Sequence, residues 1–371
     1  MSNDTSDVSH RSSRDLEAVS EALEVACAKH WPEGSNHKIT GLAGTSTNGM
    51  SSETLLFDLT FDEPDAGSTT LNLVARVAPA KADVPVFPSY DMPAQFKTIE
   101  TVGQLTDVPV PAALWCEPNP EVIGSPFFVM GKVEGEVPPD VMPYTFGENW
   151  LYDAPREQQS RLQESTVAAI AKLHSIPEPE ARFAHLQQPE SSGSTPLRRH
   201  VANRRAWYEF AAQACGRSDL VERGFVWLDD NWPAETETVF SWGDSRIGNV
   251  LYRDFEPVAV LDWEMAGVGP AELDLGWIVY CHRMFEDIAA QMGLPGMSHF
   301  MRADDVARSY ERITGKTPRD LEWFITYSCL QLSIVFMRTS WRQVHFGDRP
   351  MPASVDEMIM NAPTLSEMIG K

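Results

Sequence analysis

Two short segments of this sequence bring together side chains that suit one kind of chemistry: residues 240–252 read FSWGDSRIGNVLY, and residues 258–264 read VAVLDWE. Asp244 is followed five residues later by Asn249, and Asp262 comes directly after the apolar run of the second segment. Short strand patterns accompany both segments, so a hairpin would bring Asn249 close to Asp262. The pattern predicts two carboxylates and a carboxamide gathered around a small β-hairpin.

Phosphoryl transfer requires such a set. An Asp at position 244 can position a hydroxyl and accept its proton, while oxygen atoms of Asn249 and Asp262 can hold Mg²⁺ on nucleotide phosphates. Arg246 could neutralise charge on the transferring group. The D-x-x-x-x-N spacing alone has little value, because roughly one chance match is expected in a chain this long. Asp244 could equally be a loop or N-cap residue and Asn249 a turn residue.

A longer series of motifs points to a family. The segments 242–251, 261–269 and 272–275 resemble the aminoglycoside phosphotransferase family of the protein-kinase-like superfamily. They are most similar to the branch that includes kinase-like domains of acyl-CoA dehydrogenases and many bacterial phosphotransferases. Further matching motifs follow the family's order at residues 49–54, 73–79, 107–111, 127–135 and 173–174. The resemblance implies an α+β, two-lobed protein-kinase-like fold with a small antiparallel-sheet N-lobe and a larger helical C-lobe.

The resemblance also implies ATP and Mg²⁺ as cofactors and gives roles to individual positions. Asp244 would be the catalytic base, Asn249 and Asp262 the Mg²⁺ ligands, and Glu264 lies close enough to assist. Asp274 resembles a buried Asp that holds the catalytic loop by accepting backbone N–H bonds. The residues that would bind the nucleotide are Gly49, Met50, Ser51, Ser52, Arg76, Gly131 and Val133.

Three positions depart from the family pattern, and the first two of them leave the affinity for ATP open. Arg76 stands on the third strand where many kinases have Lys, and Arg binds phosphate with a different, forked geometry. Gln95 occupies the place of the Glu that pairs with that cation, and Glu100 is a poor geometric substitute on the same helix. Trp242 replaces a His that generally packs and orients the catalytic loop.

The order of sequence patterns predicts how the chain is organised. Residues 1–13 are polar and predicted to be a disordered tail, residues 14–131 a nucleotide-binding lobe, and residues 132–371 a catalytic and substrate lobe. Strand patterns at 38–43, 55–61 and 71–77 predict an antiparallel meander of three strands. Helical patterns occur at 158–174, 197–216 and 302–345, and the only sheet-like stretch in the second half is 238–260.

Composition excludes several classes of protein. The formal charge of −23 argues against a nucleic-acid partner, because a phosphate backbone would be repelled, whereas a cationic substrate would be attracted. The alternative is that acidity serves only solubility. Apolar runs are too short to cross a bilayer, and five widely spaced cysteines suit reduced thiols in a cytoplasmic protein. Oligomeric state cannot be read from the sequence.

Two further clusters have a structural and a functional interpretation. An aromatic and methionine stripe at helical spacing suits a buried core, although part of it could wall a substrate pocket; its members are Trp323, Phe324, Tyr327, Phe336, Met337 and Trp341. A basic cluster suits a solvated helix face or, alternatively, contact with an anionic substrate; it consists of Arg198, Arg199, Arg204 and Arg205.

Three functions compete at this point. The first is a small-molecule kinase that transfers the γ-phosphate of ATP to a hydroxyl of an aminoglycoside, a sugar or a hydroxyacyl compound. The second is a nucleotide-binding pseudokinase acting as an interaction module, which Arg76 and Gln95 motivate and the complete Asp244, Asn249 and Asp262 set opposes. The third, a protein kinase, is weakest because the chain between Asp262 and Asp274 is too short for a peptide platform.

Overall fold

The computed structural model describes residues 14–44, 51–64, 67–186 and 193–370, and the chain divides into two compact units. The smaller unit runs to Thr101 and includes Pro111–Glu134, and the larger unit comprises Val102–Val110 and everything from Gly135 onwards. One unit is built on an antiparallel sheet and the other mainly on helices. The predicted α+β, protein-kinase-like fold class is confirmed.

The bounds of these units differ from the sequence-based ones. The prediction ends the first lobe at residue 131, whereas the structure ends the smaller unit at Glu134 and groups Val102–Val110 with the larger one. The functional labels of the two lobes stay predictions. The predicted tail at residues 1–13 lies outside the described residues.

The smaller unit contains a five-stranded antiparallel sheet with the strand order β1-β2-β3-β5-β4. Its strands are β1 (Ser35–Gly44), β2 (Glu53–Glu63), β3 (Gly67–Val77), β4 (Ala113–Glu117) and β5 (Phe127–Gly131). The predicted meander is confirmed, because β2 pairs with both β1 and β3. Leu55, Phe57, Leu59 and Phe61 are all buried, since alternate residues of a strand face the same side of the sheet.

Two helices accompany this sheet: α1 (Leu16–His30) and α2 (Met92–Leu105). The carboxylate of Asp15 accepts hydrogen bonds from the first backbone N–H groups of α1, which satisfies donors that a helix start leaves open. Val19, Leu23 and Cys27 of α1 belong to the same buried core as the inner face of the sheet. Burial of this apolar stripe is what fixes α1 in the smaller unit.

The larger unit is mainly helical and carries two short antiparallel ribbons. Its helices are α3 (Arg156–His174), α4 (Pro179–Arg182), α5 (Pro196–Cys215), α6 (Asp219–Asp230), α7 (Glu272–Gln291), α8 (Ala303–Thr314), α9 (Leu321–His345) and α10 (Ala362–Met368). The ribbons pair β6 (Thr238–Ser241) with β9 (Gly267–Pro270), and β7 (Val250–Arg253) with β8 (Glu256–Val260). The prediction that sheet structure in the second half ends at residue 260 is therefore wrong, because β9 pairs with β6. No sequence signal pointed to β9, which consists of Gly, Val, Gly and Pro and has no strand-like pattern.

The centre of the larger unit is α9, which is buried on all sides from Trp323 to Arg338. A helix that is apolar all round belongs in a core, and α9 packs against α5, α6 and α7. Burial of Tyr327, Phe336 and Met337 confirms the core interpretation of the stripe, while Trp341 at its end is only half-buried. Across the described residues, no helix combines the length and the apolar character needed to cross a membrane.

Candidate active site

The loop between β6 and β7, residues 242–249, holds Asp244 in a defined place, and we call it the catalytic loop. The backbone turns at Gly243, where φ is 89°. A side chain at this position would collide with the backbone carbonyl of Met265. Only glycine accommodates both the left-handed turn and this close approach. Asp244 follows directly and is buried.

Three side chains fix the carboxylate of Asp244. Its Oδ1 accepts a hydrogen bond from the indole Nε1 of Trp277 at 2.7 Å. Its Oδ2 accepts from Nδ2 of Asn249 at 2.7 Å and from Nε of Arg246 at 3.2 Å. A carboxylate offers about four acceptor positions, so three donors leave room for one more, such as a substrate hydroxyl. The geometry suits a base that is oriented before its substrate arrives.

The backbone brings Asn249 and Asp262 side by side. The N–H of Leu261 donates to the carbonyl of Asn249 at 2.9 Å, directly before Asp262. Asp262 itself has a φ of 59°, a left-handed conformation that is uncommon for residues other than glycine and that clusters at functional sites. Trp242 is buried and its indole Nε1 donates to the carbonyl of Leu261 at 2.9 Å. Trp242 therefore packs and orients this loop at the position where His was expected.

Asn249 and Asp262 fit a Mg²⁺ ion. Nδ2 of Asn249 already donates to the carboxylate and the backbone carbonyl of Asp244, so Oδ1 is the atom that can face a cation. Mg²⁺ in nucleotide sites is held by one or two protein oxygen ligands together with substrate phosphates and water. Within the described ranges there is no group of three or more His, Cys, Asp and Glu side chains suited to a metal, and a two-ligand site does not require one.

Arg246 is held by a carboxylate that the sequence did not reveal. Its Nη1 donates to Oδ2 of Asp140, in addition to the bond from its Nε to Asp244. Burial alone would lower the pKa of Arg246, but the negative charges of Asp140 and Asp244 outweigh burial and raise this pKa well above its ordinary value. Gly248 provides the space, since a Cβ there would collide with the carboxylate of Asp140. Arg246 is a permanent, fixed cation beside Asp244.

Asp274, near the start of α7, anchors the catalytic loop. Its carboxylate accepts from the backbone N–H groups of Trp242 at 2.9 Å and Gly243 at 2.8 Å. It also accepts from the hydroxyl of Ser241 at 2.9 Å and from Nε2 of His174 at 2.9 Å. An ionised carboxylate only accepts, so His174 carries its proton on Nε2. The predicted structural role of Asp274 is confirmed, and His174 is one of the side chains that it holds.

Replacing Asp274 by Ala is expected to reduce the free energy of unfolding by about 3–5 kcal/mol, because buried donors lose their charged partner. Urea unfolding followed by tryptophan fluorescence measures this change. Asp254→Asn, at an exposed position whose left-handed φ of 51° Asn tolerates, is the control and should remain within about 0.5 kcal/mol of the wild type. A loss below about 1 kcal/mol in Asp274→Ala would contradict the anchoring role.

The structure describes some of the predicted nucleotide-binding residues of the smaller unit. Gly49 and Met50 lie outside the described residues. Nη2 of Arg76 donates to the hydroxyl of Ser52 at 2.6 Å, and its Nη1 donates to the hydroxyl of Thr54 at 2.7 Å. The structure thus brings together two residues, Arg76 and Ser52, that were predicted separately.

The remaining positions of the smaller unit lie on β5, just after β5 and on α2. Gly131 ends β5, and its N–H donates to the carbonyl of Ala112 at 2.9 Å. Val133 follows two residues later and is half-buried. Gln95 is buried in the first turn of α2, whereas Glu100 pairs with Lys97 at 3.4 Å. Their roles toward a nucleotide stay predictions.

A comparison with protein families settles the affiliation of the chain. The model described as "Phosphotransferase enzyme family", abbreviated APH, matches residues 85–296, which is more than half of the 371 residues. The chain belongs to this family. The matched part of the phosphotransferase includes the catalytic loop, Asp262 and Asp274.

Individual relatives of this phosphotransferase are distant. Acyl-CoA dehydrogenase family member 11 from Gallus gallus is 29% identical over 174 residues, which cover 46% of this chain and 20% of that protein. The chain therefore spans only about a fifth of the length of that relative. A structure from Ralstonia eutropha, assigned to the aminoglycoside phosphotransferases, has a TM-score of 0.60 at 18% identity and covers 94% of this chain and 96% of its own.

A second solved structure, the ternary complex of an aminoglycoside phosphotransferase variant with ADP and hygromycin B, has a TM-score of 0.53 at 13% identity. The match covers 94% of this chain and 98% of that one. At these identities the two structures establish the fold that the phosphotransferase shares with them.

The sequence did not predict two side chains of the larger unit that contact the candidate site residues. Trp277 lies in the acidic and apolar stretch after Asp262, but only the packing of α7 turns its indole toward Asp244. Asp140 follows two prolines in a segment without a strand or helix pattern, 104 residues before Asp244. The absence of any side chain at Gly248, which faces Asp140, is the one signal that could have suggested a close approach there.

Proposed function

We propose that this phosphotransferase moves the γ-phosphate of ATP to a hydroxyl group of a small molecule. The observation that carries the proposal is the carboxylate of Asp244, which is oriented by Trp277 and Asn249 and retains room for one further donor. Asn249 and Asp262 add the oxygen ligands that this reaction needs next to such a carboxylate. Orientation and charge neutralisation are the main contributions that a protein makes to phosphoryl transfer.

The residues have distinct tasks in the proposed reaction. Asp244 accepts a hydrogen bond from the acceptor hydroxyl and takes its proton as the oxygen attacks the γ-phosphorus; the bond to the bridging oxygen breaks and ADP leaves. Arg246 places a fixed positive charge beside the transferring group. Asn249 and Asp262 would hold Mg²⁺, which, when bound, neutralises charge on the phosphate oxygens. The tasks of Ser51, Ser52 and Arg76 in binding the phosphates belong to the same proposal.

ATP as donor is supported by the family and by the neighbour that binds ADP together with hygromycin B. The acceptor class is open among aminoglycosides, sugars and hydroxyacyl compounds. The relative from Gallus gallus carries the name of an acyl-CoA dehydrogenase, but the chain corresponds to only 20% of it. Its name therefore gives no acceptor for this chain by itself.

A nucleotide-binding module without turnover is the second candidate. One observation favours it: Arg76, the cation predicted to contact the phosphates, donates to the hydroxyls of Ser52 and Thr54 in its own unit. ATP would have to compete with those bonds. The alternative makes no use of the oriented Asp244 carboxylate, and we therefore place it second.

The experiment for the proposed function combines thermal stability with ADP release. Mg²⁺·ATP is expected to raise the melting temperature because it binds the native state and not the unfolded chain. At a ligand concentration of a hundred times Kd, the free energy of unfolding rises by about 2.7 kcal/mol. Acceptors from the three classes are then tested for ADP release above the background rate. Stabilisation with acceptor-dependent release supports the kinase; stabilisation without release from any class supports the binding module; no stabilisation at millimolar nucleotide contradicts both.

A further inference from the structure

A cavity of about 140 Å³ lies in the larger unit between α5 and the segment that follows Asp262. Its wall includes Arg199, His200, Asn203, Arg204, Glu264 and Met265. Complete sites for small molecules usually measure about 300–1,000 Å³, so this volume suits one functional group and a few carbon atoms. The cavity has the size of a subsite.

The cavity shares a wall with the catalytic loop. Met265 lines the cavity, and its carbonyl lies so close to Gly243 that no side chain could be accommodated there. Gly243 directly precedes Asp244, and Glu264 comes two residues after Asp262. A group bound in the cavity is thus separated from the catalytic loop by a single layer of backbone. The cavity and the catalytic loop are therefore neighbours within the larger unit.

Arg204 is a buried cation without a charged partner in the described chain. Its Nε donates to Oε1 of Gln331 at 2.7 Å, its Nη1 to Oδ1 of Asn203 at 2.7 Å, and its Nη2 to His200 at 3.4 Å. All three acceptors are neutral, and together they use three of the five N–H groups of a guanidinium. Buried charges are ordinarily paired, because removing an ion from water costs several kcal/mol. The sequence-based interpretation of a solvated face is therefore wrong for Arg204.

His200 does not add a second charge. An arginine N–H can only donate, so Nε2 of His200 is the acceptor and its ring proton lies on Nδ1, which donates to the hydroxyl of Tyr327 at 2.7 Å. Burial and the neighbouring charge of Arg204 hold the pKa of His200 well below its ordinary value. The ring is neutral, and it orients the guanidinium without competing for an anion.

The other three arginines of the cluster have partners of their own. Arg205 pairs with Glu209 at 3.2 Å and with Glu222 at 2.6 Å. Arg199 pairs with Glu180 at 2.9 Å, and Arg198 lies over the ring of Trp232 at 3.8 Å. Arg198 also pairs with Asp229 at 3.5 Å. Arg204 lies 5.7 Å from the centroid of the Trp207 ring, but of the four it alone has no ion pair with a carboxylate in the described part of the chain.

We propose that this cavity binds an oxyanion of the acceptor, a carboxylate or a phosphate group, through Arg204, so that the preferred acceptors are small hydroxylated anions and not polycations. The proposal rests on the proposed function for the reaction itself. Beyond that function, the proposal specifies that the acceptor is negatively charged and that Arg204 recognises this charge. A carboxylate or phosphate accepts two parallel N–H bonds from a guanidinium, which matches the two N–H groups that remain.

The test compares wild type, Arg204→Met and the control Arg205→Met by calorimetry without ATP. The anionic probes are 3-hydroxybutyrate and glycerol 3-phosphate, and the uncharged matches are 1,3-butanediol and glycerol. Wild type and Arg205→Met should bind at least one anionic probe, and Arg204→Met should bind it at least tenfold more weakly. The affinity for the uncharged matches should be the same in all three proteins. Which anion binds better distinguishes a carboxylate site from a phosphate site.

Three results would overturn the subsite. Arg204→Met could bind the anionic probe as tightly as wild type does, wild type could bind the uncharged match as tightly as the anionic probe, or wild type could bind neither anion. Arg204→Lys keeps the charge and loses the fork; it should bind with intermediate affinity and serves as the test if Arg204→Met does not fold.

ADP release separates this proposal from the proposed function. Arg204-dependent binding without phosphorylation of any acceptor contradicts the function and supports the anion site. Phosphorylation of uncharged or cationic acceptors at the same kcat/KM in wild type and Arg204→Met supports the function and overturns the subsite.

Discussion

Asp244→Asn is expected to lower kcat for phosphoryl transfer by about a thousandfold, the middle of the range for loss of a general base. An amide has the same shape as the carboxylate and keeps an acceptor for the indole of Trp277, but it cannot take the proton of the attacking hydroxyl. The change in melting temperature on adding Mg²⁺·ATP should persist, since the variant retains Asn249 and Asp262. Initial rates of ADP release at saturating acceptor measure the effect.

Asp254→Asn is the matched control for this experiment. Asp254 is an exposed aspartate ten residues further along the chain, and its φ of 51° is a conformation that Asn tolerates well. Its kcat should equal that of the wild type within experimental error. A rate for Asp244→Asn within tenfold of wild type would show that Asp244 is not the base.

Asp262→Asn should have a comparably large effect through the metal. Asn tolerates the left-handed φ of 59° at this position, so the substitution removes charge while it preserves the backbone. Loss of one anionic Mg²⁺ ligand removes several kcal/mol of charge stabilisation, and a fall in kcat of about a thousandfold corresponds to roughly 4 kcal/mol. The Mg²⁺ concentration that gives half-maximal activity should rise as well.

Asp262→Ala provides a second measure at the same position. Ala lacks both the ligand and the tolerance of Asn for a left-handed φ, so it should show the same kinetic loss together with a lower melting temperature. If Asp262→Asn retained wild-type kcat and the wild-type dependence on Mg²⁺, Asp262 would not be a metal ligand, and Asn249 would be left as a turn residue.

Local patterns predicted the parts of this protein that depend on neighbours in sequence. Alternation of Leu55, Phe57 and Leu59 identified β2 and its buried face, because the period of two is a property of any strand. Short strand patterns after Asn249 and before Asp262 identified the β7–β8 hairpin. Resemblance to the family supplied the remaining roles.

Contacts between distant parts of the chain could not be predicted. Asp140 meets Arg246 across 106 positions, and Trp277 meets Asp244 across 33. Neither contact leaves a periodic signal, because each depends on how a loop or helix packs. Arg204 was misread for the same reason: neighbouring arginines on α5 suggested a solvated face, whereas contact with Gln331 on α9 buries this one.

The most direct test of the central claim is ³¹P nuclear magnetic resonance of wild type with Mg²⁺·ATP and an acceptor from each class. The account predicts a new phosphomonoester resonance that grows in step with ADP for at least one acceptor and is absent with Asp244→Asn. ATP that binds and yet remains intact with every acceptor class, or a phosphate ester formed equally well by Asp244→Asn, would contradict it.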